Sequence, residues 1–198
     1  MKNLTLTLAF VFLSTFLLGC GGSELAPEQF NGTYLPTPIP APDFTLDGAD
    51  GAQVSLSDFA NKIVLLYFGY TFCPDVCPTT MADLGRVQRA LDNAGEDVQV
   101  IMITVDPDRD TPEVMGQYVQ HFHPTFVGLS GVQEQIDAIG ASYGVYYQKH
   151  EGTAATGYLV DHTARVFVID RDGLYKLSFG FGMSSEDMAK DLRLLLKQ

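Results

Sequence analysis

Apolar and polar residues fall into blocks of readable period along this chain. Residues 63–68 form a nearly continuous apolar run between Asn61-Lys62 and Gly69, the pattern of a central strand buried on both faces. Residues 98–105 repeat it. Short alternating runs at 44–46 and 54–56, separated by Asp47-Gly48 and Asp50-Gly51, predict a hairpin. Met81, Leu84, Val87, Gln88 and Leu91 then fall on one helical face, and that segment closes near 93–95. Thr111-Pro112-Glu113 predicts a helix start, with Thr as N-cap, Pro at the first helical position and an acid in the first turn. A short strand is expected at 126–129, a helix at 133–143, and a second hairpin from strands 164–170 and 174–181 around Arg171-Asp172-Gly173. The chain ends in a helix at 184–197, capped by Ser184 or Ser185, with Met188, Leu192, Leu195 and Leu196 turned inward. This order predicts an α/β domain with a mixed sheet flanked by helices.

The N-terminus has a different texture. Lys2 precedes an apolar run at 4–18 that closes on Leu17-Leu18-Gly19-Cys20, so residues 1–19 read as an export signal. The closing four residues resemble a bacterial lipobox, which implies cleavage before Cys20 and lipidation of its sulfur. The run is short of the ~20 residues that a spanning helix needs. Residues 20–42 carry Pro27, Pro36, Pro38, Pro40 and Pro42 and few large apolar side chains, the composition of an extended tether. Residues 43–198 remain as one domain of roughly 155 residues, long enough for its own core.

Charge narrows the partners. Lys and Arg number 12 against 24 Asp and Glu, a formal net charge of −12. A basic face for nucleic acid is excluded as a basis for function, and so is nonspecific attraction to anionic lipid. Membrane attachment rests on the lipid at Cys20.

With Cys20 assigned to the anchor, the domain holds two cysteines, in Cys73-Pro74-Asp75-Val76-Cys77-Pro78 directly after the first buried strand. Pro78 cannot sit inside a helix, so the helix is expected to begin within 75–78, where N–H groups lack partners anyway. Both sulfurs then lie at the positive end of a helix dipole, which favours thiolate, while the Asp75 carboxylate opposes a second negative charge. Export puts the pair in an oxidising setting. Three readings follow. A structural disulfide would close a very small loop and stabilise little. Dithiol–disulfide exchange in thioredoxin-like oxidoreductases generally uses two intervening residues and a proline in a late loop. Here there are three, and the corresponding loop at 157–163 has no proline. A metal site suits two soft thiolates, for Cu(I) or Zn, although structural zinc normally takes four protein ligands.

A third ligand would come from four histidines. His162, just before the strand from Ala164, is the best placed, and on the residues alone it stands evenly between ligand and buried or capping histidine. His121 and His123 read as a solvated helix end, and His150 as a loop residue.

Three motifs together carry a family resemblance: Tyr67-Phe-Gly-Tyr-Thr-Phe-Cys-Pro-Asp-Val-Cys-Pro78, Val105-Asp-Pro-Asp-Arg-Asp-Thr-Pro-Glu113 and Val160-Asp-His-Thr163. In this order they resemble the Sco/SenC family, from about Pro42 to the C-terminus. The resemblance implies a thioredoxin-like fold with N-terminal and inserted hairpins, tethered on the extracytoplasmic (periplasmic) side of a bacterial membrane. It implies copper, as Cu(I), Cu(II) or both, held by Cys73, Cys77 and His162. The implied role is a metallochaperone for the dinuclear copper centre of cytochrome c oxidase, its partners being the copper-binding subunit or another acceptor and a thiol reductant protein. The competing expectation is an enzyme, a thiol–disulfide oxidoreductase with Cys73 and Cys77 redox-active, that keeps the acceptor's cysteines reduced. Asp75, Asp106 and Asp161 are candidate neighbours of the site. Adjacent residues of an extended chain point oppositely, so Asp161 is not expected to share a ligand role with His162.

Overall fold

The computed structural model describes residues 29–153 and 157–198. The expected export signal and the lipidation at Cys20 lie outside the described residues. A six-stranded sheet runs in the order β1 (Thr33–Pro40), β10 (Leu174–Gly180), β9 (Arg165–Ile169), β4 (Ile63–Gly69), β5 (Val98–Thr104), β6 (Val127–Leu129). The fold is thioredoxin-like, a mixed sheet flanked by helices. β4, β5 and β6 are parallel, whereas β9, β10 and β1 are each antiparallel to their neighbour. All seven residues of β4 and of β5 are buried, which explains their unbroken apolar runs. Full burial of a leucine such as Leu65 or Leu66 contributes about 1.5–3 kcal/mol before entropy is counted.

Helices α1 (Val76–Ala90) and α2 (Pro112–Gln120) carry the chain from β4 to β5 and from β5 to β6. α1 begins where the prolines require, with Asp75 as N-cap and Pro78 in the first turn. It buries Cys77, Met81, Leu84, Val87 and Gln88 on one face. Thr111 caps α2 by accepting the Val114 N–H, with Pro112 at the first position. α3 (Gln133–Ser142) and α4 (Ser185–Leu195) follow, the latter capped by Ser184, and α4 packs on α1. The N-terminal hairpin is β2 (Thr45–Asp47) with β3 (Gln53–Ser55), as its alternation predicts.

Two segments differ from expectation. The tether expected over 20–42 contains β1, an edge strand of the main sheet. Its register on β10 slips between Tyr34 and Ile39, around Pro36 and Pro38, and prolines are tolerated at such an edge irregularity. The buried Asp191 on α4 fixes its start, accepting the N–H groups of Asn31 (3.0 Å) and Gly32 (2.8 Å) and the Asn31 side-chain amide (2.8 Å). The second difference is the loop expected at 157–163. It contains β8 (Tyr158–His162), paired antiparallel with β7 (Tyr147–Glu151) in a separate two-stranded sheet. β7 is polar and largely exposed, so it carries no apolar signature.

Candidate metal centre

The parallel ladder ends at Gly69 and Thr104, and the site is built just beyond those strand ends. Gly69 is required there: a Cβ on it would stand 2.8 Å from the Tyr67 ring, 3.0 Å from the Cys77 sulfur and 3.0 Å from the Met102 methyl. Cys77, in the first turn of α1, is fully buried, and Cys73 on the preceding loop is half-buried. The Cys77 N–H points at the Cys73 sulfur at 3.4 Å, an orphan helix donor facing a thiolate. His162 reaches the pair from the end of β8, its Nε2 3.2 Å from the Cys77 sulfur. One ligand atom from each of Cys73, Cys77 and His162 lies within 4.8 Å of the other two.

The two sulfurs hold a proton between them. Cys73 is pushed down to about 3, first by a hydrogen bond from the Cys77 thiol, then against burial by His162 and by the N–H groups of Asp75 and Cys77. Cys77 is pushed up, first by that same hydrogen bond and then by its burial and the Cys73 charge. The half-exposed sulfur is therefore the thiolate and the buried one the thiol. Tyr67 donates to the Cys77 sulfur at 3.5 Å, and burial pushes its phenol well above its ordinary range.

The histidine is oriented from three sides. Its Nδ1 is 3.2 Å from the Thr163 carbonyl, which can only accept, so this bond puts a proton on Nδ1 and turns Nε2 toward the sulfurs. The Tyr67 and Tyr70 rings meet its edge at 6.0 Å and 5.9 Å between centroids. Tyr70 also ties down β8, its phenol oxygen accepting the Val160 N–H at 3.2 Å.

The remaining candidates separate by depth. Asp106 is fully buried, ion-paired with Arg109, and accepts the Tyr158 hydroxyl at 2.6 Å. Asp161 points away from the sulfurs into solvent and pairs with His150 at 3.2 Å. Asp75 is exposed and meets Cys73 through its backbone N–H. His121 closes α2 with its Nδ1 2.6 Å from the Gln117 carbonyl, and His123 lies against Phe126, both outside the cluster. His150 lies on β7.

Asp110, Arg109 and Tyr158 join the surroundings of the site as well. The buried Asp110 accepts Thr71 N–H at 2.9 Å and the Thr71 and Thr104 hydroxyls, and burial raises its carboxyl despite these bonds. The signal was present in Asp106-Pro-Asp-Arg-Asp110, where acid and Arg stand three apart on a turn.

Two soft sulfurs and one imidazole nitrogen form a donor set for a soft ion of low coordination number. Among the described residues the group stops at these three, one short of an ordinary structural zinc site.

Relatives of this chain are found among known families and solved structures. The profile of the SCO1/SenC family matches residues 34–197. The mitochondrial SCO2 homolog of Bos taurus is 39% identical over 153 residues, 76% of this chain and 58% of that protein. The match therefore spans a little over half of that relative's length. Among solved structures, apo Sco1 from Thermus thermophilus superposes with a TM-score of 0.75 at 45% identity, covering 84% of this chain and 96% of that one. Bradyrhizobium japonicum ScoI, solved with copper bound, gives a TM-score of 0.72 at 38% identity over 79% of this chain and 99% of that one.

Proposed function

This chain belongs to the SCO1/SenC family, and from that premise we propose that it is a copper metallochaperone. Copper is its cargo, held by the Cys73 and Cys77 sulfurs and the His162 Nε2 and passed to the copper-binding subunit of cytochrome c oxidase. The observation that carries this reading is the three-donor cluster within 4.8 Å at the open end of the sheet. Three ligands leave room for an incoming one, so the ion can pass by stepwise exchange without being released to water. Cys73 and His162, both only partly buried, stand where an acceptor can reach them, while Cys77 stays rooted in the core.

The location follows the same proposal. The chain is exported, cut before Cys20 and held by lipid on the periplasmic side of a bacterial membrane. No helix among the described residues is long and apolar enough to cross a membrane. Strand directions support a membrane-facing site: β1 begins at Thr33 opposite Ser178, and Gly180 at that end of β10 pairs with Arg165, three residues after His162. The first described residues enter the sheet at the end that carries the cysteines and the histidine.

A second reading is favoured by the asymmetry of the pair. The Cys73 thiolate attacks an acceptor disulfide, giving a mixed disulfide and one free acceptor thiolate. Cys77 gives its proton to the released acceptor thiolate, attacks the Cys73 sulfur of the mixed disulfide and displaces the second acceptor thiolate, leaving a Cys73–Cys77 disulfide that a separate thiol reductant protein must reduce again. The test is transfer itself: the copper-loaded soluble domain is mixed anaerobically with the apo copper-binding domain of an oxidase subunit. Stoichiometric movement of copper supports the chaperone. Disulfide reduction in the acceptor without movement of copper supports the reductase instead.

A further inference from the structure

The motif at 106–111 binds no metal in the proposal above, yet it touches both halves of the site. We propose that this turn sets the distance between the sulfurs and the imidazole, with Arg109 as the positioning residue that joins the cysteine loop to the histidine strand. The inference rests on Cys73, Cys77 and His162 being the ligands.

Its cysteine side is held by Asp110. The carboxylate accepts both the N–H (2.9 Å) and the hydroxyl of Thr71, two residues before Cys73, and also the Thr104 hydroxyl (2.8 Å) at the end of β5. The cysteine loop is thus tied to a core strand by a buried acceptor.

Its histidine side is held by Asp106 and Arg109. The Arg109 guanidinium lies 3.7 Å from the Tyr158 ring centroid and 4.7 Å from that of Phe72. One ring opens the strand that ends in His162, and the other immediately precedes Cys73. The same guanidinium donates to the Tyr158 carbonyl at 3.1 Å and pairs with the fully buried Asp106, which accepts the Tyr158 hydroxyl at 2.6 Å. Tyr158, Val160 and His162 share one face of β8, because side chains two apart in a strand point the same way. Fixing Tyr158 therefore fixes the root of the lever that carries the imidazole. β7 and β8 pair only with each other among the named strands, so no backbone ladder from the main sheet does this work.

Arginine suits the position for physical reasons. A planar cation can stack on two rings while its edge donates to a carbonyl and a carboxylate, whereas a lysine ammonium offers charge without that geometry. Lys149 stands 3.4 Å from Asp106, so the buried carboxylate keeps a second cation when Arg109 is replaced.

The test is a double-mutant cycle with Arg109→Lys and His162→Ala, read as Cu(I) affinity by chelator competition. Tyr158→Phe, which keeps the ring and removes only the hydroxyl, serves as the milder variant. Arg109→Lys is expected to weaken copper about 10-fold, the lower end for loss of an outer partner of a ligand. In the His162→Ala background it is expected to change affinity by less than about twofold, because its effect passes through the imidazole. Tyr158→Phe is expected to show the same pattern at smaller size. Equal losses in both backgrounds, or no loss in either, would overturn the proposal. A metal-free readout runs beside it: nuclear Overhauser contacts from the His162 ring to Tyr67 and Tyr70 are expected in the reduced wild type and lost in Arg109→Lys. Retention of those contacts in the variant also overturns it. Wild type that holds no copper sinks the ligand assignment, and the metal-free readout still decides whether Arg109 positions the ring.

Discussion

The two halves of the metal centre are built to different standards. Cys77 sits in a helix turn packed against β4, a fully buried strand hydrogen-bonded on both sides, and its sulfur touches Gly69 where no Cβ would fit. His162 sits at the end of a polar, two-stranded hairpin whose β8 buries Val160 alone. The thiols are placed by the core, where moving an atom means repacking neighbours. The imidazole is placed by single polar and aromatic contacts, each worth little and each able to be exchanged. A site that must both hold a metal and let it go has reason to combine the two: one rigid arm that retains, one adjustable arm that yields.

The largest test of this contrast is to remove a ligand from each arm. Cys77→Ser is expected to abolish retention of Cu(I) against a modest chelator. His162→Ala is expected to leave the ion bound by two sulfurs, weakened by more than the ~10–100-fold that losing an outer partner costs. Equal loss from both would mean that the arms do not differ. Next in size is Gly69→Ala, whose Cβ must displace the Cys77 sulfur, the Tyr67 ring or the Met102 methyl. It should cost about 1–3 kcal/mol in chemical denaturation, as overpacking does. Gly180→Ala, with nothing within 4 Å of the added carbon, serves as the near-neutral control. A Gly69→Ala protein as stable as wild type would show that the cysteine arm is not rigid.

The smallest effect concerns protons. With Cys73 held down to about 3 and Cys77 pushed up, the metal-free pair carries one proton at neutral pH. As pH falls, the Cys73 thiolate survives until about 3, so above about pH 7, where an ordinary imidazole carries no extra proton, the proton that competes with copper is the one on Cys77. Between about pH 7 and 8, affinity should weaken as pH falls with a slope of about one decade per pH unit. A slope of about two, as for two ordinary thiols, would show that the sulfurs do not share a proton.

The same division explains what the sequence let one read. β4 and β5 were legible because burial on both faces leaves an unbroken apolar run, and the start of α1 was legible because Pro78 permits few positions. The β7–β8 hairpin left no local period, since its order comes from contacts such as Arg109 to Tyr158, 49 residues apart, although the family resemblance implied an inserted hairpin. The prolines of β1 suggested tether because their composition is shared by tethers and irregular edge strands. Asp106 was expected as an acidic contact and is a buried partner of Arg109 and Tyr158. The spacing argument for Asp161 agrees with its exposed position, paired to His150.

The most direct measurement of the central claim is X-ray absorption at the copper edge on the reduced soluble domain, residues 21–198, loaded anaerobically with one equivalent of Cu(I). The account predicts two sulfur scatterers and one imidazole, with the imidazole signal absent from His162→Ala and both sulfurs still present. A wild-type spectrum that lacks imidazole, or one unchanged by His162→Ala, would contradict it.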